Sequence, residues 1–140
     1  MPLHLLRHPE PLSVVRLDGG SQPDWDWMRG PLASLSVSEE ETSVICRTDL
    51  VPEGLTAQGP FLAFEVAGPL DFALVGVLHG LLGPLVARGI SVFATSTYDT
   101  DYLLVPVERA DEAQDALRKD GSIVTTPTLD NDDLTPGSDA

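Results

Sequence analysis

The chain has 140 residues, a length typical of one compact domain or of two small subdomains that share a core. Its 42% hydrophobic content allows a buried core, whereas 22 acidic against 8 basic residues give a formal net charge of -14. This charge argues against binding nucleic acid through its phosphates and against binding an anionic membrane surface.

The cysteine content and the first residues bear on the compartment. Cys46 is the only cysteine, so no intramolecular disulfide can form. The opening MPLHLLRHPEP lacks the basic start, apolar run and cleavage site of a signal peptide. The most apolar stretch, residues 72–87, is shorter than the roughly 20 residues of a membrane span and contains His79 and Pro84. We therefore expect a cytoplasmic protein.

The first block of predicted elements is short and rich in strands. Alternating apolar residues predict strands at 12–17, 32–37 and 42–47. The segment PDWDWM, residues 23–28, predicts a short helical turn between the first two strands. A connection rich in glycine and proline follows, and we end the first module at residue 58.

The second block alternates strands and helices. It consists of a strand at 61–66, a helix from Leu70 or Asp71 to about Arg88 that stops at Gly89, strands at 90–95 and 102–107, a helix at 108–119 and a strand at 122–126. The order strand-helix-strand-strand-helix-strand is that of a ferredoxin-like fold. We assign residues 59–127 to this second module and expect the acidic tail, 128–140, to be disordered.

The helix predicted at 72–87 has no charged residue, and a helix that is apolar all round needs two partners. Gly76, Gly80 and Gly83 would form a stripe of small residues along it, and Pro84 would kink it or mark its weakly bonded final section. We predict that one face covers the sheet of the second block and that another meets the first block or a second chain. An ordinary core helix with incidental glycines is the alternative.

Most catalytic arrangements are absent from the sequence. It has no phosphate-binding loop, no G-x-G-x-x-G, no C-x-x-C, no H-E-x-x-H and no G-x-S-x-G. Cys46 is predicted to be a buried thiol. His4 and His8 would chelate a metal only on a helix, which the neighbouring prolines disfavour. We therefore predict no cofactor, no metal site and no enzymatic activity.

Two polar segments next to the predicted strands favour binding of a small molecule. Residues 70–72 begin a helix, whose free N–H groups can receive a carboxylate. Residues 95–101, TSTYDTD, offer acceptors for an ammonium group, so the two segments together suit an amino acid. Two alternatives stay open: Asp71 can cap the helix, and the hydroxyl groups of residues 95–97 can bond to the backbone of their own loop.

The stretch GPLDFALVGVLHGLLGPLVARGISVFATSTYDTDYLLVP, residues 68–106, resembles the second half of small bacterial proteins with two ACT-like modules. This group is similar to the cytosolic arginine sensors of the TOR pathway, and STYDTDYLLV at 96–105 is the most specific part of the resemblance. The resemblance implies an α+β fold of two ferredoxin-like ACT-type modules in tandem, of which the first, at residues 1–58, is degenerate and has short helices.

ACT modules bind amino acids at their interfaces, so the resemblance implies a non-enzymatic regulatory protein with an amino acid as effector. The sensors carry four modules in one chain and this chain about two, so the resemblance implies a homodimer. The alternatives are a structural dimerisation or protein-interaction module without a ligand and a small ferredoxin-like enzyme. The ligand-binding residues implied are Leu70, Asp71, Phe72, Gly76, Val77, Ala94, Thr95, Ser96, Thr97, Tyr98 and Asp99.

Overall fold

A computed structural model describes residues 3–68 and 76–127. In chain order its elements are β1 His4–Arg7, β2 Leu12–Asp18, β3 Ser34–Val37, β4 Glu41–Arg47, β5 Thr56–Val66, α1 Val77–Ala87, β6 Phe93–Ser96, β7 Asp101–Pro106, α2 Ala110–Lys119 and β8 Ile123–Thr125. Short 3-10 turns, Thr48–Leu50 and Val107–Arg109, follow β4 and precede α2. The α+β class is confirmed. No helix of the described residues is long and apolar enough to cross a membrane.

The eight strands of the described residues belong to one sheet, and the long strand β5 connects its two halves. Five strands follow from the edge in the order β3-β4-β2-β5-β1, and β8 adds to β1; β7 pairs with β5, and β6 with β7. Both β1 and β2 run antiparallel to β5, β1 opposite its last residues and β2 opposite its first. Pro9 and Pro11, which have no N–H for the ladder, stand between β1 and β2.

The two predicted modules share strands of the same sheet. β5 runs through residues 58 and 59, where the sequence suggested a boundary, and β1 lies between β5 and β8. Strands from both sides of the boundary therefore form the same ladder. Modules at 1–58 and 59–127 stay a prediction.

The larger core lies between the sheet and the two helices. Successive side chains of a strand point to opposite faces, and alternate residues of β5 point to the helices. Val77, Leu81 and Leu85 of α1, spaced four apart, pack against that face. The main sheet residues of this core are Leu5, Leu62, Phe64, Val66, Leu103 and Val105.

The same sheet face is covered by loops rather than helices in the region of β2 and β4. Val15, Val44 and Cys46 are fully buried there, and Trp25 and Trp27 pack against them. The helical turn predicted at 23–28 is therefore wrong: the two tryptophans alternate along non-helical backbone, which brings both rings to the sheet. The 3-10 turn Thr48–Leu50 is the helical element near these strands in the described residues.

Several strand and helix ends differ from the prediction. The sequence missed β1, a strand of only four residues, and β5 begins at Thr56 rather than at residue 61. β6 begins at Phe93 because Ile90 turns into the core and its N–H donates to the Leu85 carbonyl at the end of α1. Gly89 stops the helix as predicted, with φ +69°. The predicted start of the helix at residues 70–71 and the predicted disordered tail at 128–140 lie outside the described residues.

Helix α1 buries one face against the rest of the described residues. That face covers the sheet as predicted, but contact of a second face with the first block is wrong, since Gly80 and Gly83 are exposed. No heavy atom of the described residues lies within 4 Å of the position that a Cβ would take at either glycine. Gly76 precedes the helix with φ +85° and so does not extend the small-residue stripe. Contact of the exposed face with a second chain stays a prediction.

Candidate functional site

The hydroxyl-rich turn lies at one end of the sheet, beside the end of β5. Residues 97–100 join β6 to β7. The buried Thr100 donates its hydroxyl hydrogen to the Val66 carbonyl over 2.6 Å. The turn therefore stands next to the point at which the chain leaves β5 for α1.

Much of the hydrogen-bonding capacity of this turn is used within the turn. Thr97 N–H donates to the Thr100 carbonyl at 2.8 Å, and Thr97 Oγ1 is 3.3 Å from the Thr100 nitrogen. Ser96 Oγ donates to Asp101 Oδ1 at 2.5 Å. The Thr97 contact corresponds to the alternative in which such hydroxyls bond to the backbone of their own loop, whereas the Ser96 hydroxyl bonds to a side chain. Tyr98, which is fully exposed, and Asp99 form the tip.

Ala94 and Thr95 are neighbours in β6 and point to opposite faces of the sheet. Ala94 is opposite Leu103, on the face that carries the helices, and Thr95 is opposite Tyr102, on the other face. A single ligand on one face therefore contacts only one of these two side chains.

Gly76 and Val77 lie at the same end of the sheet, at the start of α1. They line a cavity of about 220 Å³ together with Leu3, Gly80, Leu81, Asp120 and Ser122. None of residues 94–99 lines this cavity. Leu70, Asp71 and Phe72 lie outside the described residues, so the full set of candidate ligand contacts stays a prediction.

The sheet face opposite the helices, here called the open face, carries a line of titratable side chains. His8 Nε2 is 2.8 Å from Glu65 Oε1, and Tyr102 lies opposite Glu65 in the β5–β7 pair. Burial raises the pKa of Tyr102, and the negative charge of Glu65 and a hydrogen bond to it act in the same direction. The sequence did not single out this group.

A trough on the open face was also missed. Arg16 and Glu41 line it together with Phe93 from β6, which is distant in sequence. The alternation of LSVVRLD could have placed Arg16 on the same face as Val14. The sequence contains no signal that would bring β6 to these strands.

The metal and thiol predictions can be compared with the side-chain contacts. In the part of the chain that the structure describes, no three His, Cys, Asp or Glu side chains are grouped to hold a metal ion. His4 Nε2 is 2.8 Å from Thr125 Oγ1. Cys46 is fully buried as predicted, and this burial raises the pKa of its thiol. A thiol with a raised pKa is a weak nucleophile at neutral pH because little of it is ionised.

Comparisons with known proteins agree on the class of fold. A family model of the ACT domain matches residues 56–119, from the start of β5 to the end of α2. The chain has the α+β ACT-like fold, and its tandem arrangement is similar to that of the regulatory subunit of aspartate kinase. A search of curated proteins finds no match.

Among solved structures, protein Atu0741 from Agrobacterium tumefaciens is similar with a TM-score of 0.83 and 25% identity, over 92% of this chain and 96% of that one. VC0802 from Vibrio cholerae, described as a possible transport protein, has a TM-score of 0.62 and 19% identity, over 85% and 90% of the two chains. The regulatory subunit of aspartate kinase from Thermus thermophilus has a TM-score of 0.58 and 12% identity, over 82% and 95%. The last two likenesses concern the fold alone.

Proposed function

We propose that this chain is a non-enzymatic regulatory protein that binds an amino acid through its ACT module. The observation that carries the proposal is the Thr100–Val66 hydrogen bond of 2.6 Å. It holds the hydroxyl-rich turn against the end of β5, from which the chain continues to α1. The ACT match at residues 56–119 covers all of these elements.

The carboxylate and the ammonium of the ligand would bind to different groups of the protein. The carboxylate would accept hydrogen bonds from N–H groups at residues 70–72, and the ammonium would bind Asp71 or a carboxylate of the turn. The exposed tip supports a role for Asp99 as that carboxylate, because Ser96 and Thr97 already bond within the turn. Gly76, the residue before α1, has no side chain that could cap the first turn of that helix.

A second copy of the chain is the proposed partner, and the cytoplasm the proposed location. The chain carries a net charge of -14, so two copies repel each other unless they meet on uncharged surfaces. The exposed side of α1 is such a surface, since it includes Gly80, Gly83 and Val86 and has no charged residue. The proposed kinship with the arginine sensors of the TOR pathway motivates the same assembly.

A thermal-shift panel of the common amino acids tests the ligand. A ligand that binds only the folded chain stabilises it by about 2.7 kcal/mol at a concentration of 100 Kd, so the unfolding midpoint should rise with concentration. Asp99→Asn should weaken the response. Asp24→Asn, an equally charge-changing substitution at an exposed loop position, should leave it unchanged. The absence of any stabilising amino acid would remove the proposal.

A second candidate function is a dimerisation or protein-interaction module without a ligand. The exposed apolar residues favour it: Val86 is 68% and Val37, on the edge strand β3, 70% exposed. Unpaired edges and apolar patches are typical of association surfaces. Light scattering would then show an oligomer whose mass does not respond to any amino acid, whereas a ligand-dependent mass favours the regulatory function.

A further inference from the structure

The open face of the sheet carries a row of polar residues across four strands. Arg16 of β2 lies opposite Ser43 of β4 on one side and Thr56 of β5 on the other. Ser43 in turn lies opposite Ser36 of β3. Because residues paired across strands share a face, one guanidinium lies in a row with three hydroxyl groups.

This row forms the floor of a trough that the second half of the chain closes on one side. A cavity of about 230 Å³ is lined by Val14, Arg16, Glu41, Ser43, Thr56, Ala57, Gln58 and Phe93. A neighbouring cavity of about 420 Å³ also has Glu41, Ser43 and Phe93 in its lining, so the two cavities adjoin. The larger cavity falls in the size range of small-molecule pockets, roughly 300–1,000 Å³, and the smaller one lies just below it. We call the two adjoining cavities the Arg16 trough.

The guanidinium of Arg16 keeps donors for a ligand. Its contacts within the described residues are long, 3.5 Å to Asp18 Oδ1 and 3.5 Å to the Glu40 carbonyl. Arg47, in contrast, bonds both carboxylate oxygens of Asp49, at 2.9 and 2.5 Å. A guanidinium has five N–H donors and matches a carboxylate in a bidentate pair. Arg16 therefore suits an incoming carboxylate.

An anion stands beside this cation. Glu41 lies opposite Asp18, two residues beyond Arg16 on β2, so its side chain is the diagonal neighbour of Arg16 on the same face. Ser43 Oγ donates to Glu41 Oε1 at 2.8 Å, which leaves the second carboxylate oxygen to accept from a ligand. A purely anionic ligand would be repelled by Glu41, whereas a zwitterion satisfies both charges.

Apart from Gln58, the remaining wall is apolar. Val14 is partly buried on the floor, and Phe93 is 37% exposed with its ring 6.5 Å from that of Phe61. Apolar surface of this kind favours an aliphatic or aromatic side chain over a charged one.

We propose that the Arg16 trough is a binding site for an α-amino acid with an apolar side chain. The carboxylate pairs with Arg16, the ammonium with Glu41, and the side chain packs between Val14 and Phe93. The site lies on the open face of β2 to β5 and is built from residues other than those of the effector site proposed above. It can therefore hold whether or not that effector site does.

Titration calorimetry of the full chain with L-phenylalanine and L-leucine tests the proposal. 3-Phenylpropionate, which lacks the ammonium, and phenethylamine, which lacks the carboxylate, should each bind at least tenfold more weakly than L-phenylalanine. Arg16→Gln and Glu41→Gln should each weaken binding of L-phenylalanine at least tenfold. Arg29→Gln is the matched control, since the Arg29 side chain is 55% exposed against 52% for Arg16 and also pairs with an aspartate.

The outcomes separate the two sites. Loss of binding in the Arg16 and Glu41 variants but not in Asp99→Asn supports the trough. Loss in Asp99→Asn alone overturns the trough and leaves the proposed function standing. No binding of either amino acid, or an oligomer in which the trough variants change only the mass, also overturns it. Arg16→Lys, which keeps the charge without the planar fork, should bind with intermediate affinity and guards against a folding defect in Arg16→Gln.

Discussion

At the scale of single residues, the open face contains a tyrosine whose surroundings disfavour its ionised form. Tyr102 is partly buried and faces Glu65, which also contacts His8 at 2.8 Å. Burial is the largest cause of the raised pKa, and the negative charge of Glu65 adds to it. The two causes can be separated because only one of them depends on a side chain that can be neutralised.

Glu65→Gln should lower the pKa of Tyr102, since the neighbouring negative charge disappears. The pKa should stay above the ordinary tyrosine value, because burial persists and is the larger cause. A titration followed by the ultraviolet absorbance of the phenolate measures this. Tyr98 is the second of only two tyrosines, so Tyr102→Phe removes one of the two transitions and thereby assigns both. An unchanged pKa in Glu65→Gln would show that the charge of Glu65 does not act on Tyr102.

The polar turn shows how far residue-level prediction reached. The sequence indicated a hydroxyl-rich segment between two strands, and the structure has it there. It did not tell which hydroxyls serve a ligand, because a hydroxyl bonds to whichever acceptor the fold brings near. The partner of Thr100 is the carbonyl of Val66, 34 residues away. Nothing in the local pattern specifies that contact.

At the scale of elements, α1 combines a buried apolar stripe with an exposed surface that has no charged residue. Gly80 lies inside the helix on that surface, and no heavy atom of the described residues lies within 4 Å of the position that its Cβ would take. Gly76 lies just before the helix with φ +85°. The backbone at Gly76 favours glycine, whereas the helical backbone at Gly80 does not. Substitution by alanine should therefore change the free energy of unfolding in opposite directions at the two positions.

Gly80→Ala should stabilise the monomer by about 0.5–1 kcal/mol, because alanine loses less backbone entropy in a helix and no atom of residues 3–68 or 76–127 blocks its methyl group. Gly76→Ala should destabilise it, because alanine rarely adopts a positive φ. Urea unfolding at low protein concentration measures both changes. Destabilisation of the monomer by Gly80→Ala would contradict the open surroundings. If Gly80→Ala instead abolishes a dimer that the unaltered chain forms at high concentration, a second copy binds the exposed side of α1.

Elements were predicted well where they are long and periodic. The alternating strands β2, β4 and β7 and the amphipathic helix α2 match the sequence pattern closely. The elements that the sequence did not predict are short or depend on contacts with residues distant in the sequence. β1 has four residues between prolines, and residues 23–28 take non-helical backbone because the sheet offers an apolar surface to Trp25 and Trp27. Local propensity is overridden in such places by tertiary burial.

At the scale of the whole molecule, the two halves share hydrogen-bonded strands. β5 contributes its first residues to the ladder with β2 and its last to the ladders with β1 and β7. β1, from the start of the chain, separates β5 from β8, the last strand. Neither half can unfold without breaking the ladder of the other. A division into modules at residue 58 would therefore not be a division into independent folding units.

The chain provides a separate probe for each half. Both tryptophans, Trp25 and Trp27, pack on β2 and β4, whereas both α-helices of the described residues lie in the other half. Tryptophan fluorescence therefore reports on the first half and far-ultraviolet helical dichroism on the second. Urea unfolding should give one midpoint by both probes, as for a two-state domain. A fragment of residues 59–140, which lacks β1 and the start of β5, should be unfolded. Two separate midpoints, or a fragment with native helical dichroism, would mean that the halves are independent and that the shared strands contribute little to stability.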